Sequence, residues 1–551
     1  MMKRWSLFLH TVRYLKLWQL FYQIYYRIRK PHLIPLQKPV LRGAGVSWSF
    51  PAFLEPATDD GVTFEFLGQV AHFNGNWNDA SFPKLWLYNL HYQDDLSAKG
   101  AELHPDLCEH LVDSWIVGNP LLKGNGWEPY CLSLRLVNWV KYFSRLKPEQ
   151  VKPEWLRSLV SQANALEQQL EFHILGNHLF ANAKAMVFVG AFLGGEQGAH
   201  WLRKGLKLLD VQLQEQFLDD GAHFELSPMY HATLLWDLAD LLALRAASGI
   251  PELDQRAEPL ASHFAKGLEW LRAMIHPDGQ IALFNDATLG VAPTLSDLQL
   301  YGKQLGITSP PEAVPRKLQS RRLRSSGYAT IDWSEGHRLL ADVARVGPDY
   351  QPGHAHADTL SFELSLFSQR VLVNSGISQY GDDPERHRQR STSAHNTVEV
   401  DGENSSEVWA GFRVARRAKP FDVDLQESEG QTLLRASHDG YKRLPGKVVH
   451  HRRWLATDET LQIQDELHGQ FQQAVAHLHF HPEVIVEPKG ESRFNIQLSD
   501  GRAVMLEVFG GDARLASSSW HPYFGVSMSN QKLLLVLTGS KLNTRITWSS
   551  V

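Results

Sequence analysis

Cysteine is nearly absent, with Cys108 and Cys131 the only two in 551 residues. That excludes a disulfide framework and makes a thiolate zinc site a poor fit. A bilayer-spanning helix is also missing. The candidate stretch Leu15 to Ile28 is interrupted by Lys16, Gln19, Gln23 and Arg27, and a span needs about 20 mostly apolar residues. The apolar run Trp5 to Leu9 is short and lacks a small-residue cleavage site, so it does not read as a signal peptide. Acidic residues are missing altogether from Met1 to Leu54, where Lys3, Arg4, Arg13, Lys16, Arg27, Arg29, Lys30, Lys38 and Arg42 are basic. A basic amphipathic helix there either rests on an anionic membrane or docks on its own protein, and docking is the preferred reading. The expected compartment is cytoplasmic or membrane-peripheral. The formal net charge of −5 excludes global attraction to a polyanion, so no nucleic-acid partner is expected and an anionic substrate needs local basic groups.

What is present is the composition of a globular protein, 43% hydrophobic and 21% charged, long enough for two or three domains. Trp (17) and His (26) are both generous, which suits a sugar-binding cleft as well as a core. Residues 1–100 combine the basic helix, a linker with Pro31, Pro35 and Pro39, and a strand over 62–67. Helical periodicity then recurs from 84 to 275 with short breaks, which predicts antiparallel helical hairpins arranged as an irregular (α/α) toroid over 101–315. After Pro310, Pro311 and Pro315 the texture changes to short strands, at 323–331, 338–344, 370–374, 396–400, 433–437, 461–464 and 532–537. The fold class predicted is α+β multidomain, an N-terminal toroid followed by an antiparallel β-sandwich over 316–551.

The stretch with the densest chemistry is Gly353-His354-Ala355-His356-Ala357-Asp358. In a strand, that alternation puts two histidines and a carboxylate on one face. Leu360, Phe362, Leu364 and Leu366, with polar residues between them, predict that a half-buried strand follows. A lone histidine in a strand is usually a satisfied one; the pair with Asp358, after the turn-rich 347–353, marks a functional site. Asn177 and His178 open a helix behind Gly176, where they face a cleft or, for Asn177, simply cap the helix. Glu225 precedes Ser227 and Pro228, the expected N-cap and first residue of another helix whose first turn holds Tyr230. Trp127 and Tyr130 with Arg135 combine an aromatic platform and a guanidinium fork suited to carboxylate or sulfate. The cluster Phe412 to Arg417 is either a solvated face or a guide for a polyanion. His395 opens a strand, and with His356 and a third ligand it would hold zinc, although spacing alone does not single out a metal.

Asn177-His178, Ser227-Pro228-Met229-Tyr230, His354 to Asp358 and Ser393-Ala394-His395-Asn396-Thr397-Val398 occur in that order on predicted helix, helix, strand and strand. This resembles the heparinase II/III family of polysaccharide lyases over residues 80–530 or so. The resemblance implies a toroid followed by antiparallel sheets, and β-elimination at a uronic acid of a glycosaminoglycan- or alginate-like polymer. It also implies roles. Asn177, with His178, would neutralise the uronate carboxylate; Tyr230 would protonate the leaving O4; His354 would take the C5 proton. His356 and His395 match two ligands of a metal seen in some relatives, whose third is an aspartate. Here that position is Asn374, which lacks the charge zinc prefers, so no cofactor is required and a structural zinc or other divalent metal is the option left. Two rivals stand beside this reading: a glycoside hydrolase using Glu225 and Asp286, and a non-catalytic polysaccharide-binding or assembly protein.

Overall fold

The computed structural model describes residues 2–35, 38–42, 46–308 and 318–549. The domain boundary expected near 315 lies outside these residues. Two helices, α1 (Met2–Val12) and α2 (Leu17–Ile28), precede a small hairpin of β1 (Thr63–Phe66) and β2 (Gln69–His72). Ten helices follow: α3 (Lys84–Tyr92), α4 (Pro105–Gly118), α5 (Pro129–Phe143), α6 (Pro153–Glu167), α7 (Gly176–Phe192), α8 (Gly195–Gln216), α9 (Pro228–Ser248), α10 (Pro251–Asp254), α11 (Ala257–Ala273) and α12 (Leu295–Gln304). Among the described residues no helix is long and apolar enough to cross a membrane.

α7 is the hub of the toroid. Its sequence is apolar on all sides, and every residue but His178 is buried, as expected of a helix packed all round. It lies against α5, α8 and α9. The approach to α8 is close enough that a Cβ on Gly190 would sit 2.3 Å from the Leu202 amide nitrogen. The polar residues in this interior neutralise each other: Lys184 Nζ donates to Asp237 and Asp240, and Lys141 Nζ donates to Asp240 at 2.7 Å.

The β-region opens with a five-stranded antiparallel sheet of β3 (Gln319–Leu323), β4 (Tyr328–Asp332), β5 (Arg338–Asp342), β6 (Phe362–Leu366) and β7 (Gln369–Leu372), in that order. A short helix, α13 (Pro384–Gln389), and strand β8 (Val398–Val400) follow. β8 is the edge of a four-stranded sheet, and an eight-stranded sheet lies within 420–547. One apolar core joins side chains of all three sheets, including Ile331, Leu364, Val398, Trp454, Leu535 and Ile546. This is the sandwich expected from the strand pattern.

Three local expectations need correction. Residues 323–331 are not one strand. They turn over at Gly327, which has φ +84° and where a Cβ would lie 2.5 Å from the Ala344 Cα, so β3 and β4 form a hairpin instead. His354 to Asp358 is not a strand either: the segment is a loop, and the regular strand begins at Phe362. Its backbone bonds go to other loops, with Asp286 N–H donating to the His354 carbonyl and Ala357 N–H to the Arg390 carbonyl. β6 is also buried on both faces, not one. Glu363 and Ser365, the expected polar face, are taken up by His276, each at 2.7 Å.

Candidate active site

The loop carrying His354 crosses the junction between toroid and β-region, and the side chains around it come from both. Ser227 caps α9 as its sequence predicts, with its Oγ accepting from the Tyr230 amide at 3.3 Å and donating to the Asp286 carbonyl at 2.6 Å. Those two bonds tie the first turn of α9, and so Tyr230, to the loop after α11. The Tyr230 ring stands 4.0 Å from the His354 ring, at 31° between planes. Its hydroxyl pairs with the Tyr380 hydroxyl at 2.8 Å. Burial, with Tyr380 and Asp286 nearby, pushes the Tyr230 phenol well above its ordinary value, so it is held protonated at neutral pH.

Asp286 organises the rest. Its carboxylate accepts from His354 Nδ1 at 2.9 Å, from His356 Nε2 at 2.8 Å, and on both oxygens from the Arg386 guanidinium. Burial alone would raise this carboxyl, but Arg386 and the bonds from His354, His356 and Arg386 hold it well below the usual range. An ionised Asp286 receives Nδ1–H of His354 and leaves Nε2 as the basic nitrogen. Glu225 Oε2 faces that nitrogen at 3.4 Å. Glu225 itself is buried and its carboxyl is raised, chiefly by burial, against the pull of His354 and the Asn177 amide. The Asn177 N–H donates to Glu225 Oε1 at 3.0 Å. Gly176 is required beside it: φ is +57° and a Cβ there would meet Glu225 Oε1 at 2.4 Å. The Asn177 side-chain oxygen is buried without a protein partner. His178 donates from Nδ1 to Glu171 at 2.9 Å and packs on Tyr130, with ring centres 4.4 Å apart. Burial opposes its charge, yet Glu171 outweighs burial and the imidazole is shifted upward.

Asn177, His178, Tyr230, His354, Tyr130 and Glu225 are therefore brought together, with Glu225 beneath the site and not on its surface. Trp127 and Arg135 are not with them. Trp127 is buried in the toroid core against Trp115. Arg135 is fully buried, its donors spent on the His91 and Gly126 carbonyls and on Gln162, with its guanidinium 3.8 Å from the Trp115 ring centre. Burial lowers its pKa to about 9. This corrects the expectation of a substrate contact: the fork pins α5 to neighbouring turns. Arg135→Ala is expected to cost about 3–5 kcal/mol, through a cavity and stranded carbonyls. Chemical denaturation checks this.

The candidate metal ligands also differ from expectation. His356, His395 and Asp358 place one ligand atom each within 4.8 Å of one another. Asn374 stands outside that set, accepting at 3.1 Å from Nδ1 of His395, on the ring edge away from His356. Three residues near the site have no assigned role in the sequence, Tyr380, Arg386 and Glu171, and Phe412 has one only as part of the cluster 412–417. Phe412 is an exposed ring whose centre lies 6.4 Å from that of His354 and 5.3 Å from that of Tyr380. Arg386 sits in the conspicuously charged run 385–390, the one signal that pointed to it.

An (α/α) toroid joined to antiparallel sheets, with a Tyr–His pair supplied from the two sides, is the architecture the chain defines. Sequence models of the heparinase II/III N-terminus and of the heparinase II/III-like C-terminal region match residues 110–301 and 315–549. The chain belongs to the heparinase II/III family. It is 25% identical over 439 residues to a heparin-sulfate lyase of Bacteroides stercoris, covering 72% of this chain and 60% of that protein. It is 23% identical over 336 residues to a heparin-sulfate lyase of Pedobacter heparinus, covering 56% and 50%. The chain thus spans 50–60% of the length of these curated relatives. A crystal structure of heparinase III superposes with TM-score 0.69 at 16% identity, covering 95% of this chain and 88% of that one, a likeness of fold.

Proposed function

We propose that this chain is a polysaccharide lyase that cleaves a uronate-containing, glycosaminoglycan-type polysaccharide by β-elimination. The observation that carries the reading is the placement of Tyr230, from the toroid, against His354, from the β-region, with ring centres 4.0 Å apart, His354 held by the buried Asp286 carboxylate and the Tyr230 turn tied through Ser227 to the Asp286 backbone carbonyl. The C5–H bond breaks to give its proton to His354 Nε2, and its electrons form the C4–C5 double bond. The C4–O4 bond breaks, and O4 leaves with the proton of Tyr230. Glu225, behind Nε2, steadies the imidazolium that results. Asn177 and His178 offset the charge that builds on the uronate carboxylate. Phe412 and Tyr130 supply aromatic faces for the sugar rings.

The hydrolase rival has no support in this geometry. Asp286 is fully buried with both oxygens occupied by Arg386 and two histidines, so it can neither reach a sugar nor exchange a proton with one.

The donor set of His356, His395 and Asp358 fits a divalent cation such as zinc. Burial lowers His356 to about 4 and drives His395 well below its ordinary value, so both rings are neutral. His356 donates from Nε2 to Asp286 and His395 from Nδ1 to Asn374, which leaves two bare nitrogens facing each other at 3.2 Å. One Asp358 oxygen is buried with no partner. Two lone pairs and an unmatched carboxylate oxygen are what a bound cation would resolve. When bound, the cation would fix the loop of His354, because His356 shares Asp286 with His354. Metal analysis after dialysis is expected to find about one zinc per chain, and His395→Ala should lose it.

The lyase reading is tested by incubating the chain with heparan sulfate, chondroitin, hyaluronan and alginate. Ultraviolet absorbance from an unsaturated uronate end is expected on at least one of them. Measurable binding without any absorbance would instead favour a non-catalytic polysaccharide-binding protein.

A further inference from the structure

The N-terminal helices carry a surface that the site does not use. α2 docks through Gln19, which donates to the Tyr350 carbonyl, through Tyr22 on Phe172, and through Tyr26, whose hydroxyl donates to the Leu170 carbonyl. Its apolar stripe is on the other side. Leu17, Phe21, Ile24 and Ile28 recur at helical spacing and are 83%, 58%, 60% and 80% exposed. α1 repeats the arrangement. Thr11 bonds to Val414 and Trp409 of the β-region, while Trp5 and Leu9 face outward, 61% and 65% exposed. Ten of the 23 large apolar side chains exposed among the described residues fall within residues 5–34. A concentration of this kind marks an interaction surface, not scattered exposure. The docking expected for this segment is thus real but uses the polar and tyrosine face; among the described residues the hydrophobic face is left exposed.

We infer that α1 and α2 form an interfacial anchor that lies on an anionic lipid bilayer. Arg4, Arg13, Arg27, Arg29 and Lys30 are exposed around the stripe, and no carboxylate occurs from Met1 to Leu54. An apolar face rimmed by cations and free of acids is complementary to an anionic membrane surface. The same charges disfavour a second copy as the occupant, since pairing two such faces brings like charges together with no acid of the segment between them. The anchor is also placed with respect to the cleft. Its α1 rests on the segment 409–414, whose Phe412 borders His354 and Tyr380. Its α2 rests on the segment 170–173, whose Glu171 holds His178. Lipid contact through these helices would set the cleft beside the membrane surface, where a polymer held at that surface is within reach. The anchor does not depend on the lyase reading.

The test is flotation of the full chain with vesicles of phosphatidylcholine alone and of phosphatidylcholine mixed with phosphatidylglycerol, alongside its mass in solution without lipid. Binding is expected to the mixed vesicles, weakening as salt rises. The combined substitution Leu17→Ser, Phe21→Ser, Ile24→Ser and Ile28→Ser should weaken it by a factor on the order of ten or more. All four side chains are exposed, so thermal unfolding should be unchanged. Arg27→Glu, Arg29→Glu and Lys30→Glu should remove the preference for the anionic lipid. At about 1 kcal/mol for each basic residue near such a surface, that is roughly fivefold per charge lost. Three results would overturn the inference: no binding to either vesicle, binding unaffected by the serine substitutions, or a lipid-free dimer that those substitutions convert to monomer.

Discussion

Tyr230→Phe is expected to lower turnover by about 10²–10⁴-fold, the usual contribution of a positioned proton donor. The ring, its packing on His354 and its place in the first turn of α9 all survive the change; only the hydroxyl that faces Tyr380 is lost. Stability should therefore shift by no more than about 1 kcal/mol, the net worth of one hydrogen bond. The Michaelis constant should change little, because in the proposed mechanism the phenol acts on the departing O4 and not on the resting sugar. Parallel measurement of turnover and unfolding separates these effects. A variant with full activity on every substrate would remove the proton donor from the mechanism.

Asp286→Asn has the second large expected effect, and it acts at a distance from the sugar. Asp286 is a positioning residue: it touches His354, His356 and Arg386 but is closed off from the cleft. An amide in its place leaves the buried Arg386 charge without a counter-ion, which costs about 3–5 kcal/mol. It also turns one of the two acceptor oxygens into a donor, so His354 and His356 can no longer both be held in their present tautomers, and turnover should fall by about 10²–10⁴-fold in the fraction that folds. The pH dependence distinguishes this role from packing alone. Because the carboxyl is held well below its ordinary range in the folded state, its stabilisation is present above the unfolded carboxylate pKa and is lost as pH falls through the depressed value. The asparagine variant should lack that acid limb of the stability curve. Its pH–turnover profile should also move, which a merely structural substitution would not cause.

The helical half of the fold was legible because its signals are local. Pro129 and Pro228 at first helical positions, the Ser227 cap and the lengths of the apolar runs mark where α5 and α9 begin and that α5, α7 and α9 are helices of the interior. The sandwich was legible as strands but not as hairpins: 323–331 looked continuous because Ser325, Ser326 and Gly327 interrupt it with only a short turn. The histidine loop misled for a physical reason. Alternation in 354–358 imitates a strand, but the side chains are aimed by contacts with Asp286 and Arg390, which lie far away in sequence.

The site was legible only in part, and the misses share a cause. Arg135 was read as a surface fork because a charge usually means solvent. Yet α5 is apolar on nearly every side, and a charge within such a helix is more safely read as a buried tie. From the sequence Asp286 stands out only as a rival acid, since an isolated aspartate in a loop has no pattern to announce three partners. Tyr380 comes from the irregular stretch after β7, and Arg386 from the six-residue α13, which is too short for a periodicity to assign a face. Asn374 was placed among the metal ligands by sequence order; in space it backs His395, and Asp358 takes the open position.

The central claim is elimination across C4–C5 with no water consumed. It is tested most directly by digesting a cleaved polysaccharide in isotopically labelled water and recording the masses of both new ends. Elimination predicts that the non-reducing end carries one C4–C5 double bond and that label enters the new reducing end only by the anomeric exchange that any reducing sugar in the same water shows. Labelled oxygen at a new reducing end beyond that exchange, together with a saturated partner, would contradict it.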